Sequence, residues 1–187
     1  MQSEKNRKSL QIALFAAIII VMTFVPYVGY ISYGVLSITT LHLPVLLGGV
    51  LLGPAAALIL SAVWGVTCLI NAFLINPIEG AIFLDPLISV VPRVLVGVVL
   101  VLLGLTLMKT KLPLWLRAAI YAGLGTISNT VFVLSAISLF GGETIVPLGD
   151  TLQTIISVVI SVNGALELGL AVVLVPILTL RLKKLIK

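Results

Sequence analysis

Arg93 and Glu167 are the two charged side chains that lie within the long apolar stretches of this 187-residue sequence. At membrane depth a charge is costly, and it usually faces the interior of a helix bundle or a water-filled cavity. One interpretation is that Arg93 binds an anionic or carbonyl group of a ligand. The alternative is structural: Arg93 forms an ion pair with Glu167 or Asp85, and Glu167 is a packing residue.

Three amide side chains, Asn71, Asn129 and Asn163, lie in the same apolar stretches. An unpaired amide in lipid costs several kcal/mol, so each of them needs a partner. They either bond to one another between helices or present donors and acceptors to a small polar solute, with Trp64 as an apolar wall. We predict one substrate-binding pocket near the outer face, formed by Arg93, Asn129, Asn163, Glu167, Asn71 and Trp64.

The composition is that of an integral membrane protein. Of the residues, 60% are hydrophobic and 9% are charged, against about 25% charged in a soluble domain. The apolar runs are continuous rather than alternating, which argues against a membrane β-barrel. All but one of the eleven lysines and arginines fall in three clusters. The clusters are Lys5, Arg7 and Lys8; Lys109, Lys111 and Arg117; and Arg181, Lys183, Lys184 and Lys187.

Basic clusters of this kind mark the cytoplasmic side, so each stretch between them crosses the bilayer an even number of times. A crossing needs about 20 apolar residues. We therefore predict an all-α membrane protein: one domain, residues 1–187, forming a six-transmembrane-helix bundle with both termini cytoplasmic. The predicted spans are about 10–27, 35–52, 55–75, 87–108, 115–140 and 152–180. Pro44 and the polar run before it can break or shorten the second span.

Metal, redox and hydrolytic chemistry find little support in the sequence. The single histidine, His42, has no nearby ligands for a metal site, and we expect it to be a hydrogen-bonded structural residue. The single cysteine, Cys68, excludes a disulfide framework. No phosphate-binding loop is present, which excludes ATP hydrolysis by that route. We expect no cofactor, no enzymatic activity and no nucleic-acid binding, since the net charge of +5 comes from the membrane-flanking clusters.

Four sequence features occur in an order and spacing typical of one transporter family. They are Ala13-x-x-x-Ala17 in the first span, the run at 42–54, the end of the third span at 71–77, and Pro92-Arg93 opening the fourth. Over nearly its whole length the sequence resembles the substrate-binding S-component of an energy-coupling factor (ECF) vitamin transporter. The resemblance implies a vitamin-binding subunit of an ABC importer in the bacterial cell membrane, with its pocket in the outer halves of spans four to six.

The resemblance also implies partners. A transmembrane coupling subunit would contact Ala13 and Ala17, two ATP-hydrolysing subunits would drive transport, and residues 27–34 would gate the pocket. A single arginine with several asparagines suits pantothenate, which carries one carboxylate, an amide and two hydroxyls. The alternatives are a vitamin of the pyridoxine, hydroxymethylpyrimidine or riboflavin type, or an autonomous small-solute carrier that acts without partners.

Overall fold

Helices form most of the structure, because a backbone in lipid must satisfy its hydrogen bonds within the protein. The computed structural model describes residues 2–33, 36–74, 82–107, 109–141 and 163–186. In chain order the elements are α1 (Gln2–Phe24), β1 (Tyr30–Tyr33), β2 (Leu36–Thr39), α2 (His42–Leu52), α3 (Pro54–Leu74), α4 (Pro86–Ser89), α5 (Val91–Leu107), α6 (Leu114–Phe140) and α7 (Ala165–Ile186). Five helical segments in this part of the chain are long and apolar enough to cross a membrane: α1, α3, α4 with α5, α6, and α7.

Three of the predicted spans correspond to helices whose bounds lie within one residue of the expected ones: α3, α4 with α5, and α6. α1 overlaps the first predicted span, 10–27, but begins eight residues earlier, at Gln2. α1 ends at Phe24, shortly before Pro26, because a proline disfavours the helical conformation in the residue that precedes it. The sixth span is predicted from 152, and its first part lies outside the described residues. α7 continues to Ile186, beyond the predicted end at 180.

The prediction of a helix over the whole second span, 35–52, is wrong, because the first half of this segment forms a strand. β1 and β2 pair as an antiparallel hairpin, with Tyr30 opposite Thr39 and Tyr33 opposite Leu36. β-branched residues in β2 favour a strand, whereas α2 begins only at His42 and has 11 residues. At about 1.5 Å per residue, α2 covers about half of a hydrocarbon core that is about 30 Å thick. The segment 27–34, expected to be a gating loop, thus contains the first strand of this hairpin.

Contacts at the two ends of α1 show how it lies against α3. At one end, the Lys8 ammonium lies 3.9 Å from where a Cβ of Gly53 would stand, and Gly53 links α2 to α3. At the other end, the hydroxyl groups of Thr23 and Thr67 form a hydrogen bond of 3.2 Å. α1 and α3 are therefore parallel, and the short α2 returns the chain between them.

α5 packs closely against α3 through two glycines. A Cβ on Gly65 would lie 3.3 Å from the Cβ of Arg93, and a Cβ on Gly97 would lie 2.9 Å from the Cβ of Ser61. Gly65 follows Ser61 in α3, whereas its neighbour Arg93 precedes Gly97 in α5, so the two helices are antiparallel. Arg93 consequently lies level with the second half of α3, at the end away from Lys8.

α6 is antiparallel to α5. A Cβ on Gly125 would lie 2.7 Å from Leu100, and a Cβ on Gly104 would lie 3.8 Å from Tyr121. Residues 109–113, which carry two lysines of the middle basic cluster, therefore lie at the same end of the bundle as Lys8. This arrangement agrees with the expectation that these two basic clusters share one side.

The bundle has an apolar core and an apolar outer surface. Large side chains such as Leu46, Leu60 and Leu100 are fully buried between the helices. Many others of the same type project outward, and Leu10 and Leu139 are 72% and 75% exposed. A soluble protein rarely leaves so much contiguous apolar surface in water. Lipid is therefore the solvent that this surface suits.

Gly49 allows α2 to approach α6 closely, because a Cβ there would collide with the Tyr121 hydroxyl and lie 3.1 Å from the Ala57 Cβ. Overpacking of this kind costs about 1–3 kcal/mol, so we expect Gly49→Ala to lower the thermal unfolding midpoint in detergent. Adding Tyr121→Phe removes the obstructing oxygen and should restore part of the loss. Gly169→Ala is the control, since nothing lies within 4 Å of its Cβ position. Equal losses in the two alanine variants would contradict this packing.

Candidate ligand-binding site

Arg93 is the central residue of the candidate site. It lies in the first turn of α5, is 5% exposed, and donates a hydrogen bond from Nη1 to the Ile88 carbonyl at 2.8 Å. Its guanidinium lies over the faces of two aromatic rings, with centroid distances of 5.4 Å to Trp64 and 5.2 Å to Phe83. These cation–π contacts stabilise the buried charge and leave the guanidinium N–H groups as its donors.

The break between α4 and α5 explains how a charged residue reaches this position. The Asp85 carboxylate accepts a hydrogen bond from the Leu87 amide at 2.8 Å and caps the start of α4. A capping carboxylate of this kind satisfies an otherwise free helix amide. The chain then turns at Val90 and restarts as α5, so that Arg93 lies beneath the Ile88 carbonyl rather than out in lipid.

The structure does not pair Arg93 with either predicted carboxylate. Asp85 serves as the cap of α4, and the Glu167 carboxylate interacts with Arg93 only at longer range. Among the described residues, Arg93 makes no ion pair, and its Nε has no hydrogen-bond partner. A buried cation is stabilised when an anion lies close to it. Within the described residues, neither of the two predicted ion pairs, with Glu167 or with Asp85, is formed.

Glu167 lies in the first turn of α7 and is 5% exposed. Its Oε1 accepts a hydrogen bond from the backbone amide of Thr39 at 2.7 Å, which joins α7 to the end of β2. The Glu167 side chain makes no other hydrogen bond within the described residues, and its interaction with Arg93 is electrostatic. Glu167 therefore connects the predicted polar layer to the hairpin.

The predicted asparagines lie on three different elements. Asn129 is buried on α6, Asn71 is partly buried near the end of α3, and Asn163 is buried in a π-helical turn just before α7. The carbonyl oxygens of Asn71 and Asn129 have no hydrogen-bond partner among the described residues, so these two amides do not pair with each other. The two acceptor oxygens are thus buried without a donor from the described residues.

The packing of the helices brings most of these groups to one level. Trp64 and Arg93 are in contact, and the contact of Gly125 with Leu100 places Asn129 about one helical turn from the level of Arg93. Asn71 lies about two turns beyond Trp64, nearer the rim. All of these residues lie in the half of the bundle opposite the basic connection between α5 and α6.

Sequence reasoning missed two groups that complete this site. Phe83 forms the second aromatic face of Arg93, and the Thr39 amide is the donor to Glu167. The signal for Phe83 was its position shortly before the Asp85-Pro86 helix start, which keeps it close to Arg93. A backbone amide such as that of Thr39 carries no signal in the sequence.

His42 does not show the expected hydrogen bonds. It is buried at the start of α2, and its ring lies close to the backbones of Thr39 and Glu167. Neither ring nitrogen has a partner of ordinary hydrogen-bond geometry in the described part of the chain. In the same part of the chain, no group of three or more histidine, cysteine or carboxylate side chains is placed to hold a metal ion.

A helical bundle with a lipid-compatible surface and a polar site in one half defines a multi-pass membrane protein that binds a small solute. The sequence profile described as "ECF transporter, substrate-specific component" matches residues 7–179, and the chain belongs to this family. The resemblance noted from the sequence is thereby confirmed. The chain is a transport subunit of a bacterial membrane.

Two relatives have names that specify a solute. The chain is 30% identical to the "Pantothenic acid transporter PanT" of Lactococcus lactis subsp. cremoris (strain MG1363), over 96% of this chain and 97% of the relative. It is 26% identical to the "Pantothenate transporter PanT" of Leuconostoc mesenteroides subsp. mesenteroides, over 72% and 69% of the two chains.

Proposed function

We propose that this chain is the high-affinity pantothenate-binding subunit of an ECF-type importer. The observation that carries the proposal is the buried Arg93, in cation–π contact with Trp64 and Phe83 and without a carboxylate partner among the described residues. The planar guanidinium group binds carboxylates through paired, charge-assisted hydrogen bonds. Pantothenate carries one carboxylate, and the names of the two relatives support the same substrate.

The remaining polar groups of pantothenate are one amide and two hydroxyls. The carbonyl oxygens of Asn129 and Asn71 are acceptors without a protein donor in the described part of the chain, which suits hydroxyl donors. Unsatisfied buried acceptors cost free energy, and a ligand hydroxyl would recover it. The proposed substrate-binding set is Arg93, Asn129, Asn163, Asn71 and Trp64, and Glu167 lies beside this set with its Oε1 bonded to the Thr39 amide.

The proposed topology is a single domain of six crossings with both termini cytoplasmic. Five long apolar helices support five of the crossings. The hairpin with α2 would supply the sixth, as an interrupted crossing in which the helix covers the inner part and the hairpin the outer part. The basic residues at the start of α1, between α5 and α6, and at the end of α7 support the orientation.

The proposed partners are a transmembrane coupling subunit and two ATP-hydrolysing subunits. α1 offers the surface for the coupling subunit, because only 11% of the 18-residue apolar segment of this helix is buried in the chain. In the other long spans the buried share of the corresponding segment is 28–44%. Ala13 and Ala17 are both exposed on this helix. Small residues at this spacing let another helix approach closely.

Isothermal titration of the purified chain alone tests the proposed substrate. We expect one-to-one binding of pantothenate and no binding of riboflavin, pyridoxine or hydroxymethylpyrimidine, because these three lack a carboxylate for Arg93. Tight binding of one of the other vitamins would transfer the function to that vitamin. If the folded chain binds none of them, the proposal that it binds substrate without its partners is wrong.

A further inference from the structure

We propose that Glu167 is a positioning residue that holds the β1–β2 hairpin against the binding site, rather than a group that contacts the ligand. The hydrogen bond from the Thr39 amide to Glu167 Oε1 is the basis of the proposal. The predicted effect of this hydrogen bond on ligand release rests on the proposed function, whereas its predicted effect on the hairpin does not. Measuring ligand release and hairpin opening therefore tests the positioning role separately from the proposed substrate.

The hairpin register explains why the Thr39 amide is available. Tyr30 lies opposite Thr39, and the Thr40 amide donates to the Gly29 carbonyl at 3.0 Å. This pattern makes Tyr30 and Thr39 a non-hydrogen-bonded pair, in which both backbone amides point away from the partner strand. The Thr39 amide is thus on the outer edge of a two-stranded sheet, where an unpaired donor is costly once it is buried. Glu167 supplies its acceptor.

Glu167 is fixed more firmly than the hairpin that it holds. α7 packs into the core, where Ala171 and Val175 are fully buried one and two turns beyond Glu167. The base of the hairpin is closed by its own residues, since the Thr40 hydroxyl donates to the Val28 carbonyl at 2.7 Å. The bond of 2.7 Å from Thr39 to Glu167 then links this closed base to a rigid helix, across 128 residues of sequence.

The charge of the proposed ligand also favours a positioning role. When ionised, Glu167 accepts hydrogen bonds and donates none, so it cannot bond to the carboxylate of pantothenate, and a contact with this ligand would have to use the hydroxyls or the amide. With Oε1 directed to the Thr39 amide, the side chain instead holds the hairpin beside the layer that contains Arg93. Loss of this bond should let the hairpin open more often and release the ligand faster.

The decisive comparison uses four single variants. Glu167→Ala removes the acceptor, and Thr39→Pro removes the donor while leaving Glu167 intact. Proline is tolerated there because the Thr39 amide is not used in the hairpin ladder and Ile38 is already in a strand. Glu167→Gln and Thr39→Ala are the matched controls, since the first retains an acceptor oxygen and the second retains the amide.

We expect Glu167→Ala and Thr39→Pro to raise the dissociation rate of pantothenate about tenfold to a hundredfold, with little change in association rate. The double variant should be no worse than either single variant, because both remove the same bond. Glu167→Gln and Thr39→Ala should stay within about threefold of the natural chain. A ligand contact would give a different pattern: Glu167→Ala would weaken binding and Thr39→Pro would have no effect.

Amide hydrogen exchange of the hairpin in the ligand-free chain is the second measurement. Exchange over residues 29–41 should be faster in Glu167→Ala and Thr39→Pro and unchanged in the two controls. Unchanged exchange in Glu167→Ala would overturn the proposal. If exchange responds as expected but no variant binds pantothenate, the positioning role is supported and the proposed substrate is wrong. If Thr39→Pro fails to fold, the contrast between Glu167→Ala and Glu167→Gln in the hydrogen exchange of the ligand-free chain still decides the matter, because a ligand contact would not affect that measurement.

Discussion

Arg93→Ala is expected to abolish pantothenate binding while the protein stays folded. The guanidinium is buried, contacts two aromatic rings and has no carboxylate partner among the described residues. Removing one member of a buried, hydrogen-bonded charge pair costs about 2–5 kcal/mol or more, so the loss of affinity should be about thirtyfold or greater. Isothermal titration measures this loss, and a thermal unfolding midpoint in detergent confirms that the variant is folded.

The reason for the loss can be checked with an altered ligand. Pantothenol, in which an alcohol replaces the carboxylate, should bind much more weakly than pantothenate to the natural chain and about equally weakly to Arg93→Ala. Arg117→Ala is the control, because Arg117 is a partly buried cation near the start of α6, about three turns before Asn129, and should leave affinity unchanged. Arg93→Lys should recover little, since lysine lacks the planar fork. An unchanged affinity in Arg93→Ala would refute the carboxylate assignment.

Ala13→Trp is expected to prevent assembly with the coupling subunit while pantothenate binding remains intact. Ala13 is on the exposed face of α1, whereas Phe15 and Ile19 of the same helix pack toward the core. The new indole therefore projects outward and leaves the bundle undisturbed. On the outer surface it would hold a second helix away from the small residues Ala13 and Ala17, where close approach is needed.

Co-purification with the coupling and ATP-hydrolysing subunits measures assembly, and titration of the variant alone measures binding. Val131→Trp is the control, because Val131 is an exposed residue of α6, a helix that does not pack against α1 to any substantial extent. We expect the control to assemble and the Ala13 variant to be lost from the complex by about tenfold or more. Normal recovery of the Ala13 variant would show that the coupling subunit binds elsewhere.

Much of the helical architecture was predictable from hydrophobicity and charge, because a backbone in lipid has few ways to satisfy its hydrogen bonds. α3 and α6 begin within one residue of their predicted starts. The hairpin was not predictable in this way. Its strands have four residues each, and short apolar segments do not distinguish a strand from a helix by periodicity. Only pairing with a second strand stabilises that conformation.

Arg93 and Glu167 could be selected from the sequence because charges inside apolar stretches are rare and costly. That argument identifies which side chains need partners, but it does not identify the groups that they contact. The structure shows these partners: Arg93 contacts the rings of Trp64 and Phe83, and Glu167 accepts a hydrogen bond from the Thr39 amide. The contacts with Trp64 and Thr39 join residues that are far apart in the sequence, and they depend on the close approach of helices at glycines and on the hairpin register. The composition of the chain thus determined that it folds in a membrane and which buried polar residues need partners. Tertiary packing determined which partner each of those residues has.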